Sequence, residues 1–313
     1  MNRKLQRKAE QLYRRIEEVV GYTIGEKKAN GQSTGRQALV LFVTKKKPPV
    51  GGGAPKVLIP QTVGGISTDV IEIGEVKAQS FRGHYRPCPA GVSVGHEKVT
   101  AGTLGLWLVD NPTGRIVMVS NAHVLADTNN GRPGDRILQP GTYDGGRPGP
   151  GPDGDAVAFL SRSVKLKQES LLLRFLPFLR AWGLSAENFV DGAIAEPKDG
   201  IVNQAILTCS VYPRSVADAK PQVIAKKVGR TTENTAGECL YIGAALDVQY
   251  DQDVFRFHDL DLFGPMSQGG DSGSAMLSED SQTLYGFLFA GSADITAAIP
   301  QRHFMAALNV RLP

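Results

Sequence analysis

Gly269-Gly270-Asp271-Ser272-Gly273-Ser274-Ala275-Met276 places a serine on a glycine turn that enters an apolar strand. Glycines on both sides admit backbone conformations closed to residues with a Cβ. They also let two backbone N–H groups converge on one point. A serine alcohol is a weak nucleophile. It needs a base beside it and N–H donors for the oxyanion that its attack creates. Gly-Asp-Ser-Gly is also an ordinary turn between strands. The reading therefore depends on whether the chain supplies a histidine and a carboxylate.

Two β-rich runs, 99–109 and 115–120, are joined by the turn Asp110-Asn111-Pro112-Thr113-Gly114. The second run leads into Asn121-Ala122-His123, where a strand hands a side chain to a loop. Val190-Asp191-Gly192-Ala193-Ile194-Ala195 carries an acid into a short apolar strand. Asp155, followed by Ala156-Val157-Ala158-Phe159-Leu160, fits the same pattern. Asp191 lies 68 residues after His123, whereas Asp155 lies 32 residues after His123. The longer spacing leaves room for the remaining strands of a barrel and favours Asp191, with Asp155 as its rival. The order His, Asp, Ser is not that of the subtilisins or the α/β-hydrolases.

On these residues the chain resembles the chymotrypsin-fold (trypsin-like) serine peptidases. Ala122-His123 matches the histidine motif, and Asp191-Gly192-Ala193-Ile194-Ala195 is similar to the aspartate stretch. Gly270-Asp271-Ser272-Gly273-Ser274 matches the nucleophile motif, with Ser274 for the usual second glycine. Gly229-Arg230-Thr231-Thr232 resembles the Gly-Arg-Thr-Thr of secreted bacterial members. The likeness spans about 95–310. The segment ahead of it, and the want of paired cysteines, resemble the intracellular bacterial branch with an N-terminal leader.

The resemblance implies a mainly β fold: two six-stranded antiparallel β-barrels with a C-terminal helix, preceded by a small α+β region. It implies a serine endopeptidase acting on protein or peptide substrates through an acyl-enzyme. His123 would be the base, Asp191 its orienter and Ser272 the nucleophile, with the N–H groups of Gly270 and Ser272 as the oxyanion hole. Met266 would floor the specificity pocket with Ser267 beside it, and Ala290 and Gly291 would line its wall. No acid stands at that floor, and burying an unpaired charge there is costly, so an apolar P1 side chain is expected. Arg230 would pair with Asp271 and preform the site. Val63-Gly64-Gly65-Ile66 superficially resembles the amino terminus that performs this task in animal enzymes, but Thr62 precedes it and no basic cleavage site is present. The alternative is an idle or regulated peptide-binding module on the same scaffold. An α/β-hydrolase esterase would require Gly-x-Ser-x-Gly, whose last glycine is here Ser274.

The remainder of the chain agrees with this frame. It has 313 residues, 41% hydrophobic and 21% charged, with 36 glycines and 19 prolines, which suits a turn-rich β protein. A net charge of +4 is too small to argue for nucleic acid. Residues 1–80 are expected as the α+β region, with a helix over 4–20, strands over 38–43 and 68–73, and a Lys/Pro/Gly loop over 45–55. The first barrel is expected over 81–198 and the second, with a helix over 300–310, over 199–313. An insertion at 161–188, rich in leucine and phenylalanine with Arg174 and Arg180, reads as a helix on the barrel or a docking surface for a partner or membrane face. His84, Cys88 and His96 fit no common zinc spacing, so neither metal nor cofactor is expected. Three cysteines and a charged amino-terminal stretch point to a reducing, cytoplasmic location.

Overall fold

The structure, a computed structural model, describes residues 3–16, 18–29, 32–45, 59–73, 80–149, 154–168, 187–209, 211–250 and 253–313. Most of the insertion at 161–188, including the leucine and phenylalanine run, lies outside the described residues, as does most of the 45–55 loop. The chain divides into two units, Met1–Gln79 and Ser80–Pro313.

In the first unit Leu5, Ala9 and Leu12 recur at helical spacing and form the apolar stripe of α1 (Arg3–Arg15), which Ile16 continues just past its end. The helix ends earlier than the expected 20. The β-branched Val19, Val20 and Ile24 belong instead to β1 (Val19–Ala29), which pairs antiparallel with β2 (Gln32–Val43). The second half of β2 is the apolar run 38–43. Its polar first half is exposed, so composition does not reveal it as strand. β3 (Thr62–Val63) and β4 (Ile66–Glu72) form a hairpin through Gly64 (φ 63°) and Gly65 (φ 87°), and β4 lies parallel to β2. Two consecutive positive φ angles are what a two-residue hairpin turn requires. Val63-Gly64-Gly65-Ile66 is thus the turn of a paired hairpin.

The second unit begins with β5 (Cys88–Ala90), β6 (Ser93–His96), β7 (Gly102–Thr103), β8 (Leu106–Asp110) and β9 (Ile116–Ser120). After the short helix α2 (Ala122–Leu125) come β10 (Arg136–Leu138), β11 (Ala156–Ser163) and β12 (Ala193–Pro197). β7 and β8 act as one bent strand. Leu104 N–H donates to Val92 O on one side, and Gly105 N–H to Val119 O on the other. Counting them so, β6, β7/β8, β9, β12, β11 and β10 pair in sequence, and β10 returns to β6 as a closed six-membered ring. Closure leaves no free sheet edge. Trp107, Leu108, Met118 and Ile137 of its strands are all fully buried.

The chain continues through β13 (Val202–Ile206) and β14 (Ser215–Val216) to β15 (Ile224–Gly229), β16 (Glu233–Tyr250), β17 (Asp253–Phe263), β18 (Ala275–Ser278), β19 (Thr283–Gly291) and β20 (Thr296–Pro300). The order β15-β16-β17-β20-β19-β18, with β18 back on β15, closes a second six-stranded ring. α3 (Gln301–Leu308) follows Pro300, and β21 (Val310–Arg311) then joins β8 of the first ring. Phe304 of α3 stacks on Phe287 with ring centroids 4.0 Å apart, and Leu308 lies buried beside it. Many short strands, two closed rings and one terminal helix make this a mainly β, two-barrel unit.

Candidate active site

The register of the first barrel brings the histidine and the acid together. β12 runs antiparallel to β9 with Ala193 opposite Ser120. Asp191, two residues before Ala193, therefore faces His123, three residues after Ser120. Asp191 Oδ2 lies 2.5 Å from His123 Nδ1. Its Oδ1 accepts the N–H groups of Ala122 (2.6 Å) and His123 (3.2 Å), while Asn121 Nδ2 donates to the Asp191 carbonyl. The Asp191 side chain is fully buried, and that of His123 is 23% exposed. Burial works against the Asp191 charge. The His123 charge and the converging hydrogen bonds outweigh it and hold the carboxyl below its ordinary range. Asp155 is elsewhere, facing His84 Nδ1 at 3.3 Å and accepting the Arg147 N–H.

Ser272 comes from the second barrel. Gly270 (φ 97°) and Gly273 (φ 96°) flank it in left-handed conformations. A Cβ on Gly273 would stand 2.0 Å from Ser120 Oγ, and one on Gly270 would stand 2.3 Å from Arg230 Nη1. The left-handed φ favours glycine at both positions, and at Gly273 space demands it too, since a Cβ there would also stand 2.4 Å from Thr103 O. The turn is tied to the first barrel: Thr103 N–H donates to Ser272 O, and Thr103 Oγ1 to Gly270 O. The Asp271 N–H is taken by Gln268 O and the Gly273 N–H by Leu288 O. Among the described hydrogen bonds, the N–H groups of Gly270 and Ser272 have no acceptor. Ser272 Oγ donates to Phe289 O at 3.3 Å and shares with His123 a cleft of about 740 Å³.

The pairing of Asp271 with Arg230 expected from the sequence is corrected by the structure. Asp271 faces Lys227 Nζ at 3.3 Å, both side chains being fully buried, and also accepts Thr232 Oγ1 and the N–H groups of Gln268, Thr231 and Thr232. Arg230 turns to Asp144 of the first barrel, with Nε at 2.5 Å and Nη2 at 2.7 Å. The physical reason is shape. A guanidinium fork matches a carboxylate end-on, which Asp144 offers. Asp271 lies so close to Gly229 that a Cβ there would stand 2.6 Å from its Oδ1, and a compact ammonium fits this crowded space. Burial depresses the Lys227 pKa against the pull of Asp271. It also opposes the Asp271 charge, which Lys227 and the hydrogen bonds nonetheless hold below the ordinary carboxylate range.

Met266, Ser267, Ala290 and Gly291 line one cavity of about 710 Å³ with Ser272, Thr232, Thr235 and Leu288. Among the described residues its lining carries no charged side chain. His96 and His84 are accounted for by Asp135 and Asp155. Sequence reasoning missed two residues of the site. Lys227 had a signal: in β15 it shares the inward face with Ala225 and Gly229, where a lysine needs a partner. Tyr250, whose hydroxyl donates to Asp191 Oδ2 at 2.6 Å, had none, since it comes from the other barrel.

No protein family and no curated protein matches the sequence. Among solved structures the chain is similar to a glutamic acid specific serine protease, at 16% identity and TM-score 0.48, over 72% of this chain and 100% of that one. It is similar to Cellulomonas bogoriensis chymotrypsin at 14% identity and TM-score 0.47, and to Thermobifida fusca protease A at 13% and 0.49, each over 72% of this chain and 97% of the other. These likenesses are distant, but the pairing of its own strands gives this chain a chymotrypsin-like fold of two six-stranded barrels.

Proposed function

We propose that the chain is a serine endopeptidase that cleaves protein or peptide substrates through an acyl-enzyme formed on Ser272. The observation that carries this reading is that His123, paired behind with the buried Asp191, lines the same cleft as Ser272. In the reaction the Ser272 hydroxyl leaves Phe289 O for His123 Nε2; such contacts often tighten only with substrate bound. Oγ attacks the scissile carbonyl carbon while His123 takes the proton. Asp191 keeps Nδ1 as the donor side of the ring and stabilises the imidazolium. The carbonyl oxygen, now an oxyanion, is held by the N–H groups of Gly270 and Ser272. Collapse expels the amine, which receives the proton from His123. Water, deprotonated by the same imidazole, then releases the acid product and restores Ser272.

The uncharged cavity floored by Met266 supports an apolar P1 residue, since a charged one would lose its hydration without gaining a partner. A peptide library should therefore return cleavage after apolar side chains; cleavage only after Arg, Lys or Glu would overturn that assignment. For the activity itself, a fluorophosphonate probe should label the protein, and Ser272→Ala should abolish labelling. Asp191→Asn should lower turnover by about four orders of magnitude while Asp155→Asn leaves it near wild type. Failure of every serine-directed probe to label the folded protein would point to a peptide-binding module instead.

A further inference from the structure

The Asp191 oxygen that meets His123 has a second partner. Tyr250 donates its hydroxyl to Asp191 Oδ2 at 2.6 Å, and its ring meets the His123 imidazole edge-on with centroids 5.4 Å apart. Tyr250 ends β16, at the far end of the long β16–β17 hairpin of the second barrel. Its ring is gripped there by Phe255 (5.4 Å, perpendicular) and Phe257 (6.2 Å, stacked), and Phe257 packs in turn on Phe289. Phe289 supplies the carbonyl that holds Ser272 Oγ. Burial and the neighbouring carboxylate push the Tyr250 phenol well above its ordinary range, so it remains a donor throughout the working pH. One aromatic cluster of the second barrel thus touches both the acid of the first barrel and the serine turn.

We infer that Tyr250 is a positioning residue for the hydrolytic site, clasping Asp191 and His123 of the first barrel to the second. This rests on the serine-peptidase reading above. With Oδ1 occupied by two backbone N–H groups, the Tyr250 hydroxyl completes the carboxylate. It fixes the plane of Asp191 and so the direction in which His123 points. It also disperses part of the carboxylate charge. Without it the full charge faces His123 Nδ1–H, and the imidazolium becomes easier to form. The other charged residues lining the cleft are Lys98, Asp127 and Asp247. Their influence on His123 is exposed to water and weakened by salt.

The test is Tyr250→Phe, which keeps the ring in its aromatic cluster and removes only the hydroxyl. The His123 titration is followed by NMR on histidine-labelled protein at 0.15 M salt, its signal among the five histidines identified with His123→Gln. The midpoint of the His123 signal should move to higher pH than in the wild-type protein. The acid limb of kcat/KM should move up with it. The plateau kcat should fall about tenfold, the scale of one hydrogen bond to a charged group, with KM little changed. A lowered Tm with unmoved His123 titration and kcat would reduce Tyr250 to packing and overturn the proposal. If the wild-type protein cleaves nothing, the peptidase reading fails, whereas the titration still decides whether Tyr250 governs His123.

Discussion

Lys227 and Asp271 meet in a crowded space, where a Cβ on Gly229 would stand 2.6 Å from Asp271 Oδ1. Both side chains are fully buried, and the carboxylate also accepts Thr232 Oγ1 and the N–H groups of Gln268, Thr231 and Thr232. Breaking such a pair from one side leaves a buried charge uncompensated, at about 3–5 kcal/mol. Lys227→Met should therefore lower the unfolding free energy in urea by that order. It should also slow fluorophosphonate labelling of Ser272, because Asp271 anchors the turn that carries both oxyanion donors. Arg230→Lys makes the contrasting case. It loses the fork on Asp144 but leaves the partner of Asp271 in place, so labelling should persist near the wild-type rate. Equal loss of labelling in the two variants would contradict this division. The motif Gly229-Arg230-Thr231-Thr232 was legible in the sequence; which cation reaches which acid was not, since that depends on side-chain size in a packed space.

At the scale of elements, β17 carries a buried acid on its core side. Asp261 is 2% exposed on a strand between β16 and β20. Burial pushes its carboxyl up to about 6. Arg302 and His303 pull it down, and Asp259 and Asp218 reinforce the rise. An acid raised in the folded state stays protonated there after the unfolded chain has ionised. Its contribution is present below the ordinary carboxylate pKa of 3.8 and is lost as pH climbs toward about 6. Asp261→Asn should remove this loss. The variant should gain stability relative to wild type between pH 4 and 6 and hold the gain at pH 7, measured by urea unfolding at each pH. A difference that does not change with pH would show that the carboxyl ionises normally. β17 itself was not visible as a strand: Asp253, Arg256, His258, Asp259 and Asp261 interrupt its apolar residues, and only pairing with β16 and β20 gives them places.

Across the whole molecule, the two units have separate cores, one around Leu39 and Leu41 and the other around Trp107 and Phe287. Asp271 already has Lys227, and Val63-Gly64-Gly65-Ile66 is held in the β3–β4 hairpin. Cleavage near Thr62 would break that hairpin without being needed to fill the Asp271 site. Full-length protein, its amino terminus verified intact by mass spectrometry, should therefore react with the probe at Ser272; reaction only after a cut near Thr62 would refute this. The sequence by itself determined the turn-rich β class, the glycines that frame Ser272 and the helix that closes the chain, and its spacing favoured Asp191 over Asp155. Each of these is carried by local information: a turn that only glycine can make, an apolar alternation, or a spacing along the chain. Only the tertiary structure decided that Lys227 neutralises Asp271, that Arg230 joins the barrels through Asp144, and that Tyr250 reaches Asp191. Those contacts form between residues distant in sequence, and burial, rather than any local pattern, selects the partner that fits.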